Sequence, residues 1–447
     1  MSSVETFPWQ WNMDGWIVLT GSLCAIAASL PGNFLLLRRM SMLGDAISHA
    51  ILPGLAAAFL ISDSRSSWAM FIGAVIVGIL TALFTEWIRG FGEVDEGASM
   101  GVVFTTMFAA GLVMIVQVAD HVDLDPACVL YGSIENTWWD TLPAGGLNIP
   151  RVVLVLGTVT LINLLFVLLC YKELQISAFD PALATATGIR AGLMHYLLMI
   201  VVAVTAVASF ESVGSILVVA MFVVPPAAAR LLTDRLSRMI LLSAVIAACS
   251  AVLGHVSAIS VPAWFGYRSA NTAGMMALAA GVLFLLCALF GPRQGILVRG
   301  VRSGLLSLRI LSEDLIALMY RIEERGTQPH PTLTDLHQTL LASRWSTWLL
   351  MKGHEWRGCV TMQDRRFHLT ENGRRRGTEL VRSHRLWENY LAVEAGMPMD
   401  RIHDQAEKLE HFTGRDLRDR LDLETFTPAI DPHGSRIPAE GDAETNH

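Results

Sequence analysis

Residues 40–54 read MSMLGDAISHAILPG and place two ionisable side chains in an otherwise apolar segment. Asp45 and His49 lie four residues apart, so a helix brings both side chains to one face. Apolar stretches of about 20 residues, the length that crosses a bilayer, recur as far as residue 291. Ionisable groups are costly in lipid and usually mark an ion pathway. The stretch therefore predicts a membrane protein with a polar path.

The pair Asp45 and His49 has two interpretations. In one, the two side chains hydrogen-bond each other and hold two helices together. In the other, which we favour because of the cost of burial in lipid, they line an ion path. A carboxylate with an imidazole suits Mn²⁺, Zn²⁺ or Fe²⁺. One pair offers too few ligands for tight binding, so two copies facing each other would form a four-ligand constriction.

The composition divides the chain into regions of different character. Hydrophobic residues make up 53% of the chain, and most of the lysines and arginines follow residue 297. This pattern predicts a transmembrane domain at 1–297, a soluble domain at 298–426 and a disordered tail at 427–447. The predicted spans number about nine and lie near residues 16–37, 40–62, 67–88, 100–118, 151–171, 192–209, 212–232, 239–259 and 272–291.

The basic residues of the short loops predict the orientation in the membrane. Cytoplasmic loops keep an excess of lysine and arginine. No such residue precedes Arg38, so the N-terminus is predicted to lie outside, and an odd number of spans then puts the soluble domain in the cytosol. The expected location is a membrane, crossed several times, with the soluble domain on its cytosolic side. The predicted cytoplasmic loops carry Arg38, Arg39, Arg89, Lys172, Arg190, Arg230, Arg235 and Arg238.

A polar segment, KELQISAFDPALATATGIRAG at 172–192, separates two of the predicted spans. Asp180 is a suitable helix cap, Pro181 suits a first helical position, and Gly188 suits the end of a short helix. From the residues alone, an ordinary interhelical loop and a helix that contacts a cytosolic partner are equally good interpretations. No GxxxxGK[ST] motif occurs in the sequence, so the chain carries no phosphate-binding loop of its own.

Several motifs, in a fixed order, resemble those of the permease subunits of manganese/zinc/iron-chelate ABC transporters. The resemblance implies that Asp45 and His49 line the metal path. It also implies that two permeases, identical or paralogous, pair over two cytosolic ABC ATPase subunits, and that Asp180, Pro181, Ala184 and Gly188 belong to the segment that couples to the ATPase. An extracytoplasmic metal-binding protein is the further expected partner. The motifs are GDAISHAILPG (44–54), EGASMGVVFTTMFAAGLV (96–113), HVDLDPACVLYGSI (121–134), ISAFDPALATATGI (176–189), ESVGSILVVAMFVVPPAAARLLTDRL (211–236) and FGPRQGIL (290–297).

The soluble domain resembles the diphtheria-toxin-repressor-type, manganese- and iron-responsive regulators. The stretches that carry this likeness are LSEDLIALMYRIEERG (311–326), LTENGRRRGTELVRSHRLWENYL (369–391) and MDRIHDQAEKLEHF (399–412). The resemblance implies metal ligands at Asp314, His384, Glu407, Glu410 and His411, whereas Ala317 stands where that family has a second acidic residue. Independently of the resemblance, Glu407, Glu410 and His411 have the spacing of one helical face, which suits a divalent cation.

The segment ASRWSTWLLMKG (342–353), where a recognition helix would fall, is apolar and has few polar side chains for contacts with bases. DNA binding is therefore not expected. The basic residues Arg374–Arg376 suit solvation or an anionic lipid surface as well as they suit DNA. Two interpretations of the soluble domain stay open, a cytosolic metal sensor and a degenerate dimerisation module.

The expected fold is an all-α polytopic membrane protein followed by a cytosolic α+β winged-helix-like and helical dimerisation domain. The leading functional hypothesis is the permease of an ATP-driven importer of Mn²⁺, Zn²⁺ or Fe²⁺, with the same metals as regulators of the soluble domain. A secondary metal carrier and a membrane-anchored metal-responsive regulator without transport are the alternatives. Asp and His serve all three metals, so the sequence does not select one.

Overall fold

The computed structural model describes residues 9–40, 42–62, 67–92, 95–118, 132, 134–144, 147–267, 270–326, 330–425 and 429–439. The chain forms two compact units, Met1–Arg299 and Gly300–His447.

The first unit is a helical bundle with one short hairpin. Over the described residues, nine segments are long and apolar enough to cross a membrane, which confirms the predicted number of spans. The hairpin pairs β1 (Thr141–Ala144) with β2 (Leu147–Pro150) in antiparallel register. The helices are α1 (Trp11–Leu37), α2 (Leu43–Ala50), α3 (Leu52–Ser62), α4 (Ser67–Gly92), α5 (Glu96–Val118), α6 (Arg151–Leu169), α7 (Tyr171–Phe179), α8 (Pro181–Ala186), α9 (Ala191–Val213), α10 (Ser215–Leu232), α11 (Leu236–Trp264) and α12 (Thr272–Phe290).

Helix α1 lies at the centre of this unit and packs against α6, α9, α10 and α11. Small buried residues allow the close approach that helix pairs in membranes need. A Cβ atom at Gly32 would lie 2.3 Å from the carbonyl oxygen of Phe222, so only glycine fits at that crossing. Interhelical hydrogen bonds add to the packing: Asn33 Nδ2 donates to Ser243 Oγ at 2.7 Å, and Asn163 Nδ2 donates to the Ala27 carbonyl oxygen at 2.8 Å.

The junction between α9 and α10 is a sharp break at Gly214, where φ is +80°. The left-handed backbone region is accessible to glycine without steric cost, so the chain ends one helix at Val213 and begins the next at Ser215. This break separates the two spans predicted at 192–209 and 212–232.

The second unit contains a winged-helix core and a helical region. Its helices are α13 (Ile296–Arg325), which begins in the first unit, α14 (Leu333–Thr339), α15 (Arg344–Trp356), α16 (Glu371–Val393), α17 (Met399–Glu410) and α18 (Arg415–Glu424). Strands β3 (Val360–Gln363) and β4 (Arg366–Leu369) form the antiparallel wing. Leu315, Ile316, Leu336 and Met351 are buried together under it. The all-α membrane unit followed by a winged-helix-like unit is the predicted fold.

Residues 429–439 differ from the expected disorder of 427–447, because they pack on the helical region. Ile437 is buried with Leu386 and Leu421. The carboxylate of Asp431 accepts hydrogen bonds from the backbone N–H groups of His433 and Ser435 at 2.9 and 2.7 Å. A polar composition predicts disorder only where no such contacts form. The rest of the predicted tail lies outside the described residues.

Candidate functional site

The segment around Asp45 lies in the interior of the first unit. Helix α2 packs against α4, α5, α9 and α10. Leu43, Ile47 and Ala50 are buried, and Asp45 is half-buried on the same helix. The side chain of His49 lies outside the described residues, so the structure places its backbone one helical turn after Asp45 and no more.

Tight backbone contacts fix the position of this segment. A Cβ atom at Gly44 would lie 2.8 Å from the ring of Phe222 on α10, and one at Gly54 would lie 2.5 Å from the carbonyl oxygen of Gly73 on α4. Larger side chains at these glycines would push the neighbouring helices away. The two glycines that bracket the Asp45 segment therefore set its distance from α10 and α4.

A chain of polar contacts joins four elements next to α2. Arg38 donates to Nδ1 of His195 at 3.0 Å and to Oγ of Ser177 on α7 at 2.8 Å. Because a guanidinium only donates, His195 Nδ1 accepts, and Nε2 donates to Glu86 on α4 at 3.1 Å. Glu86 lies at the inner end of one predicted span and His195 at the inner start of another, and these positions alone predict only interfacial anchoring. The structure instead ties the residue that leads into α2 to the polar segment at 172–192.

The pair His255 and Asp14 joins α11 to α1. Nε2 of His255 lies 3.1 Å from a carboxylate oxygen of Asp14, and the imidazole is buried. No metal-ligating residue stands at helical spacing from His255 in the sequence, a context that by itself predicts only a packing role. Its partner lies 241 positions away in the chain, a contact that helical periodicity cannot indicate.

The polar segment at 172–192 contains the predicted short helix, α8. The Asp180 carboxylate accepts from the Leu183 N–H at 2.9 Å, Pro181 is the first helical residue, and Gly188 has a φ of +85°. Ala184 is fully buried, whereas Phe179 and Leu183 are exposed. Ala184 therefore packs the helix onto the unit, and the apolar side chains available to a partner are those of Phe179 and Leu183.

His121, Asp123 and Asp125 form an acidic HxDxD pattern, for which the sequence favours simple solvation over metal capture or the docking of a binding protein. These residues lie outside the described part of the chain.

The first acidic–histidine group of the second unit, the His384 group, consists of His384, Glu388 and His403. His384 Nε2 lies 3.0 Å from Glu388 Oε1 and 3.1 Å from His403 Nδ1, and the last two atoms are 2.9 Å apart. Ligands at bond lengths of about 2.0–2.1 Å from a metal lie about 3.0–3.4 Å from one another. The triangle has the size of one face of a coordination polyhedron.

The second group, the His411 group, consists of Asp314, Glu410 and His411. His411 Nε2 is buried without a hydrogen-bond partner, 3.2 Å from Asp314 Oδ1 and 3.6 Å from Glu410 Oε1. The other ring nitrogen, Nδ1, lies 3.0 Å from Glu313 Oε2, which holds the ring in place. A buried ring nitrogen that faces two carboxylates is a donor set that fits a divalent cation.

Neighbouring carboxylates shift the titration of both groups. Burial lowers the pKa of His411, but Asp314 and Glu313 raise it to about 10. Burial likewise opposes the protonation of His384, whose pKa is nevertheless raised by Glu388 and Glu410. The His411 imidazole is therefore held as a cation beside carboxylates, protonation of His384 is likewise favoured, and a metal has to displace the proton of His411.

The structure brings together four of the five ligands that the resemblance implied. Asp314, Glu410 and His411 form one group, and His384 belongs to the other. Glu407 is exposed and belongs to neither, because α17 turns that side chain outwards. Sequence reasoning missed Glu388, His403 and Glu313, although the four-residue spacing of His384 and Glu388 was a usable signal.

Helix α15, which occupies the place of a recognition helix, and the arginines at 374–376 carry few free groups suited to contacts with DNA. Helix α15 exposes Trp345, Trp348 and Leu349. Arg374 is paired with Glu323 at 2.5 Å, and Arg376 lies 3.5 Å from Glu313. Apolar exposed side chains and arginines already paired within the unit do not form the usual footprint of a DNA-binding surface.

Comparisons with known proteins match both units. The family model of the ABC 3 transport family matches residues 12–291, and that of the iron dependent repressor, metal binding and dimerisation domain matches residues 370–439. The manganese transport system membrane protein MntD of Bacillus subtilis is 41% identical over 293 residues, which cover 65% of this chain and 97% of that protein. The zinc transport system membrane protein TroD of Treponema pallidum is 38% identical over 299 residues, 67% of this chain and 78% of that protein.

One solved structure extends the likeness to three dimensions. PsaBC from Streptococcus pneumoniae, in complex with Fab, superposes with a TM-score of 0.52 and 30% identity. The alignment covers 63% of this chain and 92% of that chain.

Proposed function

We propose, from the premise that this chain belongs to the ABC 3 transport family, that it is the membrane permease of an ATP-driven importer of a divalent transition metal. The observation that carries the proposal is a match to that family across the whole nine-span unit, together with relatives named for manganese and zinc transport. The chain is a multi-pass permease of the bacterial inner membrane. Manganese or zinc is the substrate favoured by the relatives, and Fe²⁺ shares the same ligand chemistry.

The proposed path passes Asp45 and His49. In support, α2 lies among four other helices, and Asp45 is a carboxylate in a largely apolar interior. Two permeases facing each other would supply two carboxylates and two imidazoles at one constriction. A site with so few ligands in each copy binds a metal loosely enough to release it.

The proposed partner on the cytosolic side is an ABC ATPase that contacts the exposed side chains of Phe179 and Leu183. Helix α8 is short, capped by Asp180 and packed through Ala184, so it is a rigid projection. Its neighbour α7 carries Ser177, which Arg38 contacts just before α2. A displacement of α7 and α8 by the ATPase would thus be transmitted to α2, and so to the proposed path, through the hydrogen bond between Arg38 and Ser177. The extracytoplasmic partner is a metal-binding protein.

The orientation we propose has the N-terminus outside and the second unit in the cytosol. Most basic residues of the first unit support it, since they lie in alternate loops, whereas Arg65, Arg151 and Arg268 lie in the others. A membrane-impermeant thiol reagent tests it on intact cells. A cysteine introduced at Gln10 should react, and one introduced at Ser343 should react only after lysis; the reverse pattern would overturn the orientation.

The second unit is proposed to sense cytosolic metal through the His384 and His411 groups. Both fit a divalent cation by distance and by donor type, and such a site fills only when import has succeeded. Metal bound there would then limit further import. The alternative, a dimerisation module without metal, is favoured by the exposure of Glu407 and by Ala317, which reduce the number of carboxylate ligands.

Transport by the reconstituted complex tests the leading proposal against the two alternatives. The chain, a candidate ATPase and a metal-binding protein are placed in proteoliposomes with a fluorescent indicator for Mn²⁺ or Zn²⁺. Accumulation should require hydrolysable ATP and should stop with a non-hydrolysable analogue. Uptake driven by an ion gradient without ATPase would identify a secondary carrier, and no uptake under either condition would favour a regulator without transport.

A further inference from the structure

The first half of α13, residues 296–309, exposes apolar side chains along one face. The spacing of these residues places them within one stripe of the helix. Leu305 is 62% exposed and Val301 is 61% exposed, values typical of side chains without neighbours. We call this face the α13 stripe; it consists of Leu297, Val301, Leu305 and Leu308.

Positive charge flanks the α13 stripe. Arg299, Arg302 and Arg309 are exposed on this half of the helix, and no aspartate or glutamate occurs in the sequence from residue 295 to residue 312. The side of the helix away from the stripe carries small residues, Gly300 and Ser303 among them. Apolar, basic and small sectors on one helix are typical of segments that lie in the plane of a membrane surface.

A cavity of about 430 Å³ adjoins the same helix. Leu305 and Leu308 line it on the apolar side, and Arg309, Arg357 and Arg376 line it on the polar side. Glu313 is the carboxylate among the lining residues, and its Oε1 lies 3.2 Å from Arg309 and 3.5 Å from Arg376. Three guanidinium groups against one carboxylate leave an excess of positive charge beside leucine side chains.

The chain brings the α13 stripe close to a membrane boundary. Helix α12, a membrane-spanning segment, ends at Phe290, and α13 begins at Ile296. The five residues between them reach about 18 Å at most, and backbone hydrogen bonds at Gly291 and Gly295 tighten the connection. The start of the stripe therefore lies within reach of the lipid headgroup layer at the end of α12.

We propose that residues 296–309 bind an anionic lipid surface. The α13 stripe enters the boundary between headgroups and acyl chains, and Arg299, Arg302 and Arg309 contact the lipid phosphates. The pairing uses complementary charge and buries apolar side chains that the second unit leaves exposed. The cavity beside Leu305 and Arg309 accepts a headgroup phosphate together with the start of an acyl chain.

Hydrogen–deuterium exchange on the full chain tests the proposal. The chain is placed at one copy per disc in nanodiscs of phosphatidylcholine or of phosphatidylcholine with one quarter phosphatidylglycerol. Amides of residues 296–308 should exchange about tenfold more slowly on the anionic discs. The difference should vanish at high salt, because screening weakens contacts between surface charges.

Two double variants distinguish the effect of positive charge beside the α13 stripe from the effect of positive charge elsewhere in the chain. Arg299→Gln/Arg302→Gln should bring exchange on anionic discs to within about twofold of that on zwitterionic discs. The matched control, Arg344→Gln/Arg365→Gln, removes two exposed arginines of the same unit and should keep the full difference.

Three results would overturn the proposal. One is equal exchange of residues 296–308 on both kinds of disc. Another is the same loss of protection in both double variants. The third is protection that appears only when each disc holds two copies, which would identify a second copy of the chain as the occupant. Addition of free inorganic phosphate instead of anionic lipid should give no protection; protection by phosphate alone would assign the site to the free anion.

Discussion

The Asp45 segment and the two acidic–histidine groups of the second unit use the same side-chain chemistry in different surroundings. Asp45 lies on an apolar helix enclosed by four others, with His49 as its nearest ionisable neighbour on α2. The second unit instead gathers six ligand residues and further charged groups within two clusters. Few ligands in an apolar setting suit brief contact and release, whereas many preorganised ligands suit retention. The contrast separates a proposed path from a proposed sensor.

The largest effect is expected at the proposed path. Even a residue that only orients a metal ligand typically contributes about 10–100-fold, so Asp45→Asn should lower metal uptake by more than about 100-fold. Uptake is measured in the reconstituted complex, with ATPase binding as the check on folding. Asp234→Asn, at an exposed carboxylate of the same unit, serves as the control. Normal uptake by Asp45→Asn would contradict a metal path at Asp45, and the proposed contrast between path and sensor would fall with it.

The next effect concerns retention by the second unit. Glu410 contacts both His384 and His411, so Glu410→Gln should weaken binding of Mn²⁺ to the full chain by about 10–100-fold. Calorimetry is performed on chains that also carry Asp45→Asn, which removes the proposed path as a binder. The matched control is Glu407→Gln, on the same helix but exposed. An equal loss of Mn²⁺ affinity in both variants, or no Mn²⁺ binding by the parent chain, would contradict the sensor. The second unit would then be a dimerisation module.

The affinity of the His411 group for a metal should depend on pH. Carboxylates hold the pKa of His411 at about 10, so a metal that binds this group expels a proton throughout the neutral range. With one proton released, affinity should fall about tenfold for each pH unit lowered. Calorimetry in buffers of different ionisation enthalpy measures the protons released. An affinity that is flat between pH 6 and 8 would contradict the arrangement described here.

The smallest effect is expected at the exposed end of the coupling segment. Leu183→Glu should reduce transport about fivefold, because a charge replaces one apolar contact at the edge of an interface. Leu423→Glu, at an exposed leucine of the second unit, is the matched control. Transport and ATP hydrolysis are measured together. If Leu183→Glu leaves both unchanged, the partner contacts another surface.

The sequence predicted the spans and the caps because these depend on local composition and on neighbours a few residues away. The short helix α8 could be predicted in this way, from local preferences at Asp180, Pro181 and Gly188. The same rules could not place Glu407 outside the cluster, since the direction of a side chain on α17 depends on how the whole helix packs. They also gave no indication that Ala184, which the resemblance assigned to the coupling segment, is buried.

Long-range pairs formed the other part that sequence reasoning missed. His195 meets Glu86 across 109 positions, and His403 joins His384 from another helix. Periodicity describes one helix at a time and says nothing about which helices meet. The prediction of disorder for 427–447 missed the packing of residues 429–439 for a related reason, because the partners of Ile437 lie on α16 and α18.

The carboxylate of Glu410 contacts both groups of the second unit, because each of its oxygens faces a different histidine. Glu410 places Oε2 2.6 Å from Nδ1 of His384 and Oε1 3.6 Å from Nε2 of His411. A cation that draws this carboxylate towards the His411 group weakens its hold on His384, and the reverse is equally true. Occupancy of one group must then change the affinity of the other by the same factor in both directions. The second unit would respond to metal concentration as a coupled pair, with a titration curve that departs from two independent isotherms.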